Sequence, residues 1–71
     1  MSQIDRIATV LAKNTKGAGI TISQVAKLAR VPREAVSKRV HDLRSEGFAI
    51  YSNYRNVNGE RKLYYRMAQA S

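Results

Sequence analysis

Val31-Pro-Arg-Glu-Ala-Val-Ser-Lys-Arg-Val-His-Asp-Leu-Arg-Ser-Glu-Gly47 is the stretch on which the reading of this chain turns. Val36, Val40 and Leu43 recur at helical spacing, so one side of the segment faces a core. Pro32 suits a first helical turn, where a missing N–H costs nothing, and Gly47 suits the left-handed position just past a helix end. At about 100° per residue from Val36, Glu34, Lys38, His41 and Ser45 fall on the opposite side. Arg33, Ser37 and Arg44 flank that side. A helix over residues 32–46 would therefore show water a dense set of short polar and long cationic side chains.

The totals bound what such a helix can belong to. Seventy-one residues make one domain, near the lower end of what a single core holds together without staples. There is no cysteine, so neither a disulfide nor a thiolate zinc site is expected, and a reducing cytoplasm suits the chain. No apolar run approaches the roughly 20 residues of a membrane span, and Met1–Ile4 does not begin a signal peptide. The charge is the unusual quantity: 13 Lys and Arg stand against 5 Asp and Glu, for a net +8. It is spread, with +3 over residues 1–29 (four basic, one acidic), +2 over 30–47 (five, three) and +3 over 48–71 (four, one). A folded domain this basic is expected to meet a polyanion, of which nucleic acid is the commonest. Residues 32–46 then read as a DNA recognition helix and the remainder as its mount.

The chain in order supports that division. Ser2 is placed to cap a first helix whose third position is Asp5, near the positive end of the helix dipole. Ile4, Ile7, Ala8 and Leu11 make its apolar stripe, and residues 3–13 are expected to be helical. Thr15-Lys-Gly-Ala-Gly19 reads as a loop, without the spacing or the Lys-Ser/Thr ending of a phosphate-binding loop. Ile20-Thr21-Ile22 suits a brief strand. Thr21 and Gln24 make a capping box, with Ile20 and Val25 as its hydrophobic staple. A second helix over 22–29 follows, with Val25, Ala26 and Leu28 available for burial.

After Gly47 the period changes from 3.6 to 2. Asn58-Gly59 is a strong hairpin signal of type I′. Centring the turn there pairs Val57 with Glu60, Arg55 with Lys62 and Tyr51 with Arg66 over a hairpin at 49–67. Alternation sends Ile50, Tyr54, Leu63, Tyr65 and Met67 to one face, which must pack on the helices. Tyr51, Asn53, Arg55, Val57, Lys62, Tyr64 and Arg66 go to the other, which is basic and aromatic. Residues 68–71 are expected to fray.

Helix, short strand, helix, tight turn, helix and hairpin is the order of the winged helix-turn-helix, an α+β fold, and the residues resemble that family over roughly 4–67. Ile20-Thr21 with Val25-Ala26-Lys27 looks like its positioning helix. Val31, Val36, Val40, Leu43 and Gly47-Phe48 fall where it keeps turn, core and helix-end residues. The run Val40-His-Asp-Leu-Arg-Ser-Glu-Gly-Phe-Ala-Ile-Tyr51, with Asn58-Gly59 and Tyr64-Tyr65-Arg66, resembles small winged-helix proteins of phages and mobile elements. Two positions depart from the pattern. Arg30 stands where Gly is usual, at some strain if φ is positive. Pro32 stands where Ser or Thr is usual, which removes a side-chain cap and a phosphate-contacting hydroxyl.

The resemblance implies that the third helix enters a major groove while the wing reaches an adjacent minor groove or backbone. Arg33, Glu34, Ser37, Lys38 and His41 are then the candidates for base edges. Arg33 and Lys38 suit guanine O6 and N7, and Glu34 suits cytosine N4. Glu34 equally suits a salt bridge to Lys38, its i+4 partner. Plain exposure is the alternative for His41. Arg39 and Arg44 are expected to grip phosphates beside the groove, although Arg39 also suits snorkelling along the core edge. Thr21 and Ser23 lie where helix-turn-helix proteins meet the backbone. Arg55, Arg61 and Lys62 surround the wing tip, suited to phosphate or to a narrow minor groove.

Catalysis finds no support: the single His lacks a Ser or Cys partner in a recognisable motif, and the carboxylates form no evident acid–base pair. Neither a metal nor another cofactor is implied. Sequence-specific duplex-DNA binding by a transcriptional regulator, cytoplasmic and on the nucleoid when bound, leads the expectations. Its rivals are non-specific, architectural (excisionase-like) or RNA binding, and a protein-interaction module. With no helix after the wing, a monomer is expected in solution, possible pairing on DNA being left open.

Overall fold

Local capping chemistry sets the helix boundaries. In the computed structural model, which describes residues 2–68, α1 spans Gln3–Lys13, β1 Ile20–Thr21, α2 Ile22–Ala29, α3 Arg33–Ser45, β2 Ile50–Val57 and β3 Glu60–Met67. Ser2 Oγ accepts from the Asp5 N–H at 3.3 Å, closing the start of α1. At α2 the capping box is complete: Thr21 Oγ1 accepts from the Gln24 N–H, and Gln24 Oε1 accepts from the Thr21 N–H, both at 3.2 Å. Pro32 precedes α3 and offers no side-chain cap, so that helix begins with uncapped N–H groups. Its other end closes by a Schellman pattern. Phe48 N–H donates to Leu43 C=O and Gly47 N–H to Arg44 C=O, with Gly47 at φ +104°.

The turn from α2 to α3 uses Arg30 in the left-handed region, at φ 58° and ψ 49°. There Val31 N–H reaches back to Ala26 C=O at 3.0 Å, while Arg6 Nε of α1 donates to Ala29 C=O at 2.8 Å. A cation from the first helix thus satisfies a carbonyl that the end of the second leaves open.

The strands form an antiparallel sheet in the order β1-β3-β2. β2 and β3 pair as the Asn58-Gly59 turn dictates: Val57 with Glu60, Arg55 with Lys62, Tyr51 with Arg66. Both turn residues have positive φ, as type I′ requires. β1 adds on the far side of β3, Ile20 against Tyr65 and Thr21 against Tyr64. Among the described residues the fold is thus a small α+β arrangement of three helices and one three-stranded antiparallel sheet.

One apolar cluster joins the layers. Ile7 and Leu11 of α1, Val25 and Ala29 of α2, and Val36, Val40 and Leu43 of α3 meet Ile20, Val31, Ile50, Tyr65 and Met67. No polar or charged residue is buried among the described residues. Three placements differ from the sequence pattern. Tyr54, assigned to the core by alternation, is 59% exposed, because only the Ile50–Met67 end of the hairpin lies on the helices and its tip overhangs them. Leu28, offered for burial, is also 59% exposed; Ala29 takes the buried position instead. Ala68, expected to fray, donates its N–H to Ala49 C=O at 2.8 Å, extending the hairpin's pairing beyond β3. The other residues of that expected frayed end, 69–71, lie outside the described residues.

Candidate nucleic-acid interface

A groove of about 560 Å³ opens where the starts of α2 and α3 face the hairpin. Its lining includes Thr21 and Ser23 from the start of α2, Arg33 from the start of α3, and Tyr54, Glu60, Arg61 and Lys62 from the hairpin. Three cations therefore converge from two elements, with one carboxylate among them. Local rules place each one. The capping box fixes Thr21 at the mouth, and because its hydroxyl accepts there, its O–H remains available to donate outward. Pro32 sets the first turn of α3 so that Arg33 starts the helix at the rim. The Asn58-Gly59 turn fixes the register that puts Arg61 opposite Asn56, on the same face as Tyr54 and Leu63.

Arg61 is held there by the tyrosine. Its guanidinium carbon lies 4.2 Å from the centre of the Tyr54 ring, well inside cation–π range. Stacking leaves the in-plane N–H donors of a guanidinium free, so Arg61 can bind an anion without leaving the ring. Tyr54 thus lines the candidate groove, although the period-2 pattern assigned it to the core. The signal that separates the two is strand length: eight residues per strand reach roughly 26 Å, further than three short helices can cover.

Beside this groove, α3 turns Arg33, Glu34, Ser37, Lys38 and His41 to solvent. Glu34 and Lys38 make no ion pair with each other; the one ion pair among the described residues is Arg39 with Asp42, at 3.2 Å. The five base-edge candidates therefore share one open helical face, with Glu34 the carboxylate among them.

Two expected phosphate-gripping arginines are used otherwise. Arg44 Nε and Nη2 donate to Ile50 C=O at 3.0 and 2.7 Å, Nη2 also reaches Ser52 Oγ at 2.8 Å, and the guanidinium lies 5.9 Å from the Tyr65 ring. It ties the end of α3 to the first residues of β2. Arg39 is half-buried and turned along its own helix to Asp42, in keeping with a stem lying on the core edge. On the hairpin, Arg55 and Lys62 are paired on the face opposite Arg61. Lys62 still lines the groove and Arg55 does not. Tyr51 is exposed on Arg55's face.

No known family model, curated protein or solved structure matches the chain. Among the described residues no helix is long and apolar enough to cross a membrane.

Proposed function

We propose that the protein is a winged helix-turn-helix that binds duplex DNA in a sequence-specific way, as a transcriptional regulator does. One observation carries the reading: the basic groove that gathers Thr21, Ser23, Arg33, Arg61 and Lys62 beside the open polar face of α3. In this reading α3 enters the major groove, with Arg33, Glu34, Ser37, Lys38 and His41 at base edges. The hairpin is the wing. A phosphate strand runs through the groove between wing and helices, met by hydroxyls, guanidinium groups and the uncapped N–H groups of α3. Arg55, on the other wing face, meets the far strand or a narrow minor groove. The net +8 supplies long-range attraction, and Glu34 supplies discrimination by repelling phosphate except where a base donor compensates. The protein acts in the cytoplasm, free as a monomer, and pairs on adjacent sites if one module is too weak to regulate.

Exposed Tyr51 and Tyr54 favour a second reading, single-stranded DNA or RNA stacked on the wing. Fluorescence anisotropy against duplex and single-stranded oligonucleotides across a salt series separates the two. Under the leading reading, Arg61→Ala and Lys62→Ala each weaken duplex binding on every sequence and lower the salt slope by about 1, whereas Lys38→Ala changes sequence preference. Equal or tighter binding to single strands, lost in Tyr51→Ala and Tyr54→Ala, would transfer the assignment to the second reading.

A further inference from the structure

On another side of the molecule, α1 and α2 leave two adjoining depressions of about 440 Å³ each. Arg6, Thr9, Val10, Lys13, Asn14 and Leu28 line the first. Gly19, Ile20, Gln24 and Lys27, again with Asn14 and Leu28, line the second. Neither shares a residue with the groove beside the wing. Leu28 stands on the ridge between them, 59% exposed, on a helix whose neighbouring Val25 and Ala29 are buried. A leucine so exposed forfeits most of the stabilisation that burying it would give.

The charge around this ridge selects what covers it. Lys13 and Lys27 line the two depressions, together with Arg6, whose guanidinium is already bonded to the Ala29 carbonyl, and no Asp or Glu does. A second copy presenting the same face would bring like charges together on chains that each carry +8. Nucleic acid would satisfy the cations but gains nothing from Leu28 and Val10. An apolar stripe bordered by carboxylates satisfies both. We infer that this α1–α2 face is a docking surface for an acidic amphipathic helical segment of another protein, its apolar stripe on Leu28 and Val10 and its carboxylates toward Lys13 and Lys27. Helix-in-groove recognition of this kind reads apolar anchors at i, i+3, i+4 and i+7.

The test titrates the isotope-labelled full chain with a synthetic peptide of roughly 20 residues, above the length at which isolated helices are marginal. The peptide carries Leu at i, i+3, i+4 and i+7 with Glu beside that stripe and Ala elsewhere, and a control permutes the same residues so that no stripe forms. Amide shifts centred on Val10, Lys13, Asn14, Lys27 and Leu28 are expected, with the permuted peptide at least tenfold weaker. Leu28→Glu should lower affinity for the striped peptide at least tenfold while circular dichroism and duplex binding stay as in the parent. Lys27→Glu should lower it further with rising effect at low salt. Shifts centred on α3 and the hairpin, or equal binding of the permuted peptide, would mean simple polyanion attraction and overturn the inference, as would no shift at millimolar peptide. Concentration-dependent dimers in sedimentation, dissolved by Leu28→Glu, would assign the face to a second copy instead.

Discussion

Changing Gly19 to alanine should damage this fold far more than the same change at Gly17, two residues away. Gly19 has φ +97° and lies where β1 approaches β3. A Cβ there would overlap the Tyr65 carbonyl and sit 2.9 Å from Arg66 Cβ. Left-handed backbone costs a non-glycine residue roughly 1–2 kcal/mol, and overpacking adds about 1–3 kcal/mol, so the loss is about 2–5 kcal/mol. For a 71-residue domain, whose total stability is about 4–10 kcal/mol, that is a large share. Gly17 has φ +60° but nothing within 4 Å of its Cβ position, so Gly17→Ala carries only the backbone cost. Thermal and urea unfolding followed by circular dichroism would measure both. The expected fall in Tm for Gly19→Ala is at least about 10 °C, since each kcal/mol moves a domain of this size by about 4–8 °C. Equal effects of the two substitutions, or a loss under about 0.5 kcal/mol at Gly19, would refute the packing of β1 against β3 described above.

Arg30→Gly should stabilise the protein by up to about 1 kcal/mol, because it removes left-handed strain at φ 58°; urea midpoints would show it, and destabilisation would contradict the turn geometry. Arg44→Ala should cost about 1 kcal/mol and loosen Ile50 to hydrogen exchange, with Arg44→Lys recovering little because one ammonium cannot reproduce the forked contact. Tyr54→Ala should leave thermal stability within about 0.5 kcal/mol but weaken duplex binding through Arg61; a loss above 2 kcal/mol would return Tyr54 to the core.

The parts of this fold that could be read in the chain are those fixed by near neighbours. Ser2 with Asp5, Thr21 with Gln24, Gly47 after Leu43, and Asn58-Gly59 each settle a helix end or a turn within six residues. They set boundaries and hairpin register almost to the residue. What periodicity cannot tell is how far an element extends beyond its neighbours. Tyr54 and Leu28 both occupy positions on or near an apolar face, yet both stay exposed, Tyr54 toward the hairpin tip and Leu28 beside the buried Ala29. Arg44 illustrates the same limit for charge. Its place on α3 suits a phosphate, but the chain reversal at Gly47 brings the Ile50 carbonyl within reach, and the guanidinium bonds there. For the candidate site, residue types were legible and their company was not. That Thr21, Arg33, Arg61 and Lys62 share a groove follows from packing the hairpin against the starts of two helices, across some forty residues of chain.

Selection from a randomised duplex pool, with sequencing of what the protein retains and affinities then measured on the enriched and a scrambled site, decides whether α3 reads base sequence. An enriched motif is expected, bound tighter than the scrambled site by a factor of roughly 10³ or more at physiological salt, and relaxed at one or two positions in Lys38→Ala. Steep salt dependence with no motif would contradict sequence reading by α3, and no duplex binding even at low salt would contradict the DNA-binding assignment altogether.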